Sequence, residues 1–215
     1  MTQMHSTSNL SDGDQRQIWT GALLSGGASR RMGLDKLELQ FPDGTFLLDR
    51  PAQALRESCG TCLLVGEKNR RAPMAGQFTL VPDQTQGGGP LSALLGAMTA
   101  CQTPWLLLLG GDMPLLTASH MKVFQKCAEE VPNQVLMAES SEGLEPLWSA
   151  WPSACFPYVQ ARWKDGERAL RNAISPELLR TYHLPSEAQP PTMNQPFLNI
   201  NHPEDWQRLL DAWAP

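Results

Sequence analysis

The sequence predicts an α/β fold, with a mainly parallel sheet covered by helices, and three observations carry that reading. Short apolar runs at residues 18–24, 61–65 and 105–109 have the composition of strands buried on both faces. Segments with helical spacing stand between the apolar runs, so strands and helices alternate along the chain. Glycine-rich turns bearing charged residues follow several of the strands, where open α/β sheets bind their ligands.

Taken in order, residues 1–17 are polar and read as a disordered leader, with a single folded domain over 18–215. Residues 18–24 form a first buried strand that runs into a glycine loop. Apolar positions 47, 48, 52 and 55 mark a helix over 46–58, followed by a central strand at 61–65 and another at 78–81. Residues 90–100 are small and apolar with Pro90 at a first helical position, so they read as a helix. Residues 105–109 give the strongest buried-strand signal. An amphipathic helix is expected at 117–130 and a strand at 134–138. Beyond them come a strand at 146–151, a helix near 154–164, a strand at 181–184 and a proline-rich loop at 185–196. A helix over 205–213 follows, with Pro203 in its first turn.

The 215 residues suit one α/β domain, and 41% hydrophobic residues suffice for a core. A net charge of −5 argues against general nucleic-acid binding. Such a protein must gather its few cations in one place to hold an anionic substrate. Cys59, Cys62, Cys101, Cys127 and Cys155 lack a disulfide framework and read as reduced thiols. The Cys59–Cys62 spacing fits a redox or half-zinc pair, but with no matching second pair it reads as buried small residues. The first seventeen residues lack an apolar signal segment, and no run reaches the roughly 20 apolar residues that span a bilayer. The expected location is cytoplasmic.

Four segments carry chemistry. Leu24-Ser-Gly-Gly-Ala-Ser-Arg-Arg-Met-Gly-Leu-Asp-Lys36 follows a strand and concentrates Arg30, Arg31 and Lys36 beside glycines that let backbone N–H groups approach phosphates. It is neither a Walker A loop nor Gly-x-Gly-x-x-Gly, and its bland alternative is a turn with solvated cations. In Gly110-Gly-Asp-Met-Pro114 a lone carboxylate, Asp112, ends a very apolar strand. It suits Mg²⁺, which takes one or two carboxylates with phosphate and water oxygens, or it serves as a helix or turn cap. Asp83 follows a strand, and Gly87 to Gly89 lead to a helix N-terminus at Pro90 that favours anions, or serve only a turn. Asn199 and Asn201 share one side of an extended stretch, offering donors and acceptors to a polar ligand, unless Asn201 or His202 works near a helix cap.

Together these segments resemble the molybdenum cofactor guanylyltransferases, also called molybdopterin-guanine dinucleotide synthases, within the GT-A-like nucleotidyltransferases. The resemblance rests on residues 24–36, Asp83 with Gly89-Pro-Leu91, Gly111-Asp-Met-Pro114 and Asn199-Ile-Asn-His-Pro-Glu-Asp205. Glu145-Pro-Leu147 and Gly166-Glu-Arg168 add family-like stretches, and the likeness spans about residues 21–210. Ser25 replaces the family's usual Ala and Gly111 its usual Cys. A paired-carboxylate metal site is absent.

The resemblance implies a Rossmann-like three-layer α/β/α nucleotidyltransferase fold with a mainly parallel sheet. It implies transfer of GMP from GTP to the phosphate of molybdopterin, with Mg²⁺ as cofactor and pyrophosphate released. Leu24, Ser25 and Gly26 would hold the guanine and ribose end, Lys36 the phosphates, and Gly27 and Asp83 the nucleotide. Asp112 would bind the phosphate region and Mg²⁺, with any second ligand coming from Asp83, phosphate or water. Arg31 and Lys36 would stabilise transition-state charge, and Asn199 and Asn201 would face molybdopterin. Expected protein partners are molybdoenzymes or other cofactor-biosynthesis proteins, with no nucleic acid and no membrane. The rival readings are a cytidylyltransferase, a sugar- or alcohol-phosphate nucleotidyltransferase on the same fold, and a non-catalytic nucleotide-binding cofactor chaperone.

Overall fold

The computed structural model describes residues 12–25, 39–66, 77–184 and 197–212. Seven strands form one sheet: β1 (Trp19–Leu24), β2 (Thr61–Val65), β3 (Thr79–Val81), β4 (Trp105–Gly110), β5 (Val135–Ser140), β6 (Gly143–Pro152) and β7 (Leu179–His183). Their order across the sheet is β3-β2-β1-β4-β6-β5-β7. All neighbours run parallel except β6, which is antiparallel to both β4 and β5. The expected mainly parallel α/β sheet is therefore present.

Among the described residues six α-helices accompany the sheet: α1 (Asp12–Gln17), α2 (Asp49–Ser58), α3 (Gly89–Ala100), α4 (Ala118–Glu129), α5 (Phe156–Lys164) and α6 (Pro203–Ala212). Because strand side chains alternate in direction, β4 divides its apolar residues between two cores. Trp105, Leu107 and Leu109 join the core that holds Leu55 of α2, Phe124 of α4 and Leu209 of α6. Leu106 and Leu108 join the core that holds Leu91 and Leu94 of α3 and Val159 of α5. Burial on both faces explains why this strand reads as an unbroken apolar run.

Most element limits match the sequence reading, and three differences have physical causes. Ordered structure begins before Ile18, because α1 occupies part of the expected leader. This helix has no apolar periodicity, so nothing in its own sequence announces it. Tertiary hydrogen bonds hold it: Arg16 Nη2 donates to the carbonyls of Arg56 (2.6 Å) and Cys59 (3.2 Å), and Gly60 N–H donates to Arg16 O (2.7 Å). The two Arg16 side-chain bonds cap carbonyls at the C-terminal end of α2. The second helix starts at Asp49 rather than at 46, since the Asp49 carboxylate accepts the Phe46 N–H (2.9 Å) and Phe46 bridges to Gln40. The sixth strand starts at Gly143, three residues before the expected limit. The expected loop at 185–196 lies outside the described residues.

Cys59 and Cys62 are buried free thiols. Burial pushes the Cys59 thiol far up and that of Cys62 to about 11, so neither is poised as a thiolate. This supports their reading as buried small residues.

The third helix is tied to the turn that follows β3. Ser92 Oγ accepts the Thr85 N–H (2.7 Å), and Gln84 N–H donates to Ser92 O (3.1 Å). A Cβ at Gly96 would overlap the Pro82 carbonyl oxygen, so only glycine lets the helix pass this close. Replacing an interior helical glycine with alanine ordinarily gains up to about 1 kcal/mol. Gly96→Ala should instead destabilise by about 1–3 kcal/mol in chemical denaturation, as overpacking does.

Candidate active site

The chain passes outward from β1 through β2 to β3, then returns to place β4 on the other side of β1. β1 and β4 are thus neighbours at the point where the strand order reverses, and open α/β sheets bind ligands in the crevice beyond the carboxyl ends of the strands at such a point. The two strands pair from Trp19–Trp105 to Leu24–Gly110, and Gly111 N–H extends the ladder to Leu24 O (3.0 Å). This register brings Leu24, Ser25 and Asp112 to one end of the sheet.

Leu24 is buried in the core beneath α3, and its backbone carbonyl is the group it contributes here. Ser25 is buried as well. Its N–H and its Oγ both donate to Val65 O at 3.0 Å, which ties the end of β1 to β2. The hydroxyl that replaces the family's usual methyl group is therefore spent on the scaffold. Gly26, Gly27, Arg31 and Lys36 lie outside the described residues.

Asp112 is half-buried. A Cβ at Gly110 would stand 2.7 Å from Asp112 Oδ1 and 3.2 Å from Leu147 Cβ, so the absent side chain is the space in which the carboxylate sits. Asp112 is not the cap of α4, where Thr117 precedes the helix and His120 Nδ1 accepts its N–H (3.1 Å). Asp83 is half-buried beyond β3. Three inter-strand steps separate β3 from β4, roughly 14 Å at the usual spacing. The strand ends that carry Asp83 and Asp112 thus flank the crevice from opposite sides.

The last strand of chain before α6 completes this end. Buried Ile200 donates its N–H to Asp112 O (3.1 Å), and Asn199 Nδ2 donates to Glu145 Oε2 (3.3 Å). Asn199 is half-buried and Asn201 is exposed. The cap before α6 is built by Asp205, whose Oδ2 accepts the N–H groups of Asn201 (3.0 Å) and His202 (2.8 Å). Residues 199 and 112, 87 positions apart, meet through these contacts.

Sequence reasoning noted the Glu145-Pro-Leu147 stretch without giving Glu145 a role. Pairing of β6 with β5 jumps from Ser149–Met137 to Glu145–Ala138, so three residues beginning with Pro146 bulge from that ladder. Proline lacks the N–H a ladder needs, and bulges re-aim side chains beside active sites. Ser149 Oγ braces the bulge by donating to Pro146 O (2.7 Å). A proline inside an otherwise apolar strand was the available signal.

With this geometry in place, comparison with known proteins is direct. Residues 21–181 match the model of the MobA-like NTP transferase domain. The chain belongs to this family. Its relatives include a molybdenum cofactor guanylyltransferase of Pseudomonas syringae pv. syringae, 29% identical over 184 residues, covering 84% of this chain and 88% of the relative. Among solved structures, molybdopterin-guanine dinucleotide biosynthesis protein A from Archaeoglobus fulgidus superposes with a TM-score of 0.70 at 20% identity, covering 89% of this chain and 97% of that one. The 2-C-methyl-D-erythritol 4-phosphate cytidylyltransferase from Thermus thermophilus has the same fold, with a TM-score of 0.63 at 14% identity, covering 88% and 96%. The GT-A-like nucleotidyltransferase fold expected from the resemblance is thus present, and the chain is a nucleotidyltransferase. Among the described residues no helix is long and apolar enough to cross a membrane.

Two outcomes follow for this family member. Gly110→Ala should displace the Asp112 carboxylate and lower nucleotide transfer roughly 100-fold, as small misplacements of a site do. The check is the steady-state rate beside a thermal melt. Ser25→Ala should cost about 1 kcal/mol in urea denaturation, the usual worth of one hydrogen bond, and leave the transfer rate unchanged.

Proposed function

We propose that this protein transfers GMP from GTP to the phosphate of molybdopterin, releasing pyrophosphate and forming the guanine dinucleotide cofactor. The observation that carries the proposal is the bond of Ile200 to Asp112 O, which sets Asn199, read as acceptor-facing, beside the loop of Asp112, read as nucleotide-facing. The names of the relatives supply the chemistry of the two substrates. In this reading, residues 18–215 work as one nucleotidyltransferase domain in the cytoplasm, and the product passes to molybdoenzymes or other cofactor-biosynthesis proteins.

The terminal phosphate oxygen of the acceptor attacks the α-phosphorus of GTP as the bond to pyrophosphate breaks. The proton, when present on that oxygen, leaves to solvent. The chemistry requires no covalent protein nucleophile, so catalysis comes from alignment and charge stabilisation. Leu24 and Ser25 anchor the end of β1 through Gly111 and Val65, Gly26 meets the guanine and ribose, and Gly27 and Asp83 contact the nucleotide. Arg31 and Lys36 stabilise charge on the α-phosphate and pyrophosphate. Asn199 and Asn201 bind the acceptor.

Mg²⁺ fits Asp112 by donor chemistry. The ion takes one or two carboxylates and fills its shell with phosphate and water oxygens, and a half-buried carboxylate beside a triphosphate crevice offers that. When bound, the ion would supply Lewis-acid stabilisation of phosphate charge. The bond of the neighbouring Gly111 N–H to Leu24 O and the bond of Ile200 N–H to Asp112 O hold the main chain on both sides of this carboxylate.

Asp112→Asn should lower GMP transfer roughly 100-fold or more while the circular dichroism melt stays near that of the wild type. The assay follows label from α-labelled GTP into molybdopterin with Mg²⁺ present. Full activity of the variant would remove Asp112 from the mechanism. CTP run in parallel tests base choice, because a cytidylyltransferase shares this fold; transfer from CTP in preference to GTP would replace the guanylyl reading.

A further inference from the structure

Glu145 has no place in the mechanism above, yet it makes a specific contact inside the crevice. Its Oε2 accepts the Asn199 Nδ2–H at 3.3 Å, and no other described side chain bonds the Asn199 amide. We propose that Glu145 is a positioning residue that fixes the orientation of the Asn199 amide, reserving the carbonyl oxygen to receive a hydrogen-bond donor of the acceptor substrate. The proposal rests on the reading of Asn199 as acceptor-facing.

The physical basis is the asymmetry of the two groups. An ionised carboxylate only accepts hydrogen bonds, whereas a carboxamide donates at one end and accepts at the other. Facing Glu145, the amide must present Nδ2, which sends Oδ1 the opposite way. That oxygen is buried and accepts no hydrogen bond from the described residues. Buried polar atoms nearly always find partners, so this orphan acceptor calls for a donor that the described residues do not supply. A neutral residue at position 145 would tolerate either orientation of the amide.

Both partners are held from behind. The bulge at Pro146, braced by Ser149, sets the direction of Glu145. Asn199 is held by the next residue, since Ile200 is fully buried and bonded to Asp112 O. The rings of Trp148 and Phe197 pack at a tilt (centroids 5.5 Å apart), which anchors the same stretch from its other end. With both backbones fixed, the free variable is the amide flip, and the carboxylate decides it.

The test uses E145Q, N199A, N199D and two double variants of the full chain. E145Q keeps the size of the side chain and permits either orientation. It should raise the KM for molybdopterin about tenfold, the usual effect of one misdirected hydrogen bond, with GTP affinity by calorimetry unchanged. E145Q combined with N199A should be no weaker than N199A alone. N199D places two carboxylates face to face and should bind molybdopterin poorly. N199D combined with E145Q restores a donor facing an acceptor and should recover much of the lost affinity.

A wild-type KM in E145Q, losses that multiply in the first double variant, or no recovery in the second would overturn the proposal. So would an altered Mg²⁺ requirement with the KM for molybdopterin unchanged. The Asn199 side-chain amide signals in a ¹⁵N–¹H spectrum give a readout without turnover: they should shift in E145Q, and unchanged signals would also overturn it. If the wild type transfers nothing to molybdopterin while those signals do shift, the functional reading fails and the Glu145–Asn199 coupling stands.

Discussion

The parallel ladder between β1 and β4 is the constraint on which the site depends. Both strands are buried along their whole length, so their N–H and C=O groups must pair with each other or with neighbouring strands. The register ends at Leu24–Gly110 and is extended by Gly111 to Leu24. A slip of one residue would turn every apolar side chain of β4 toward the wrong core. The positions of Ser25 and Asp112 at the crevice therefore follow from hydrophobic burial far below it. Chemistry at the loop ends inherits its precision from packing.

Clearance is the second recurring device. Gly110 makes room for a carboxylate and Gly96 for a backbone carbonyl, and in each case an added methyl group would overlap the neighbour. Neither glycine is required by a left-handed backbone; both are required by approach. Gly87 and Gly89 differ, since their positive φ values of 73° and 76° shape the turn before α3. Glycines in this chain thus serve two purposes, and only the structure separates them. The hydroxyl of Ser25 shows a related division, because a polar atom close to the crevice is committed to Val65 rather than to a ligand.

The acceptor side illustrates how distant segments become one site. Asn199 belongs to the last stretch before α6, Glu145 to the single antiparallel strand, and Asp112 to the loop after β4. Two hydrogen bonds, Ile200 to Asp112 and Asn199 to Glu145, join the three. Glu145 reaches this position because a proline breaks the ladder with β5 and bends the chain at that point. The strand that departs from the parallel pattern is also the one that supplies this carboxylate.

Apolar periodicity alone determined that strands and helices would alternate, and it located β2, β4 and α3 within about a residue, because burial on both faces leaves a continuous signal. Their places just after apolar runs likewise put Asp83 and Asp112 beyond strand ends, where the structure has them. The polar helix α1 was invisible, as its stability lies in contacts made by Arg16 with residues 40 or more positions away. The role of Glu145 was equally hidden, because a hydrogen bond across 54 residues has no local pattern. Local sequence encodes what each segment buries; only the tertiary structure decided which polar atoms meet, since those contacts depend on strand order, register and a bulge that no segment specifies alone.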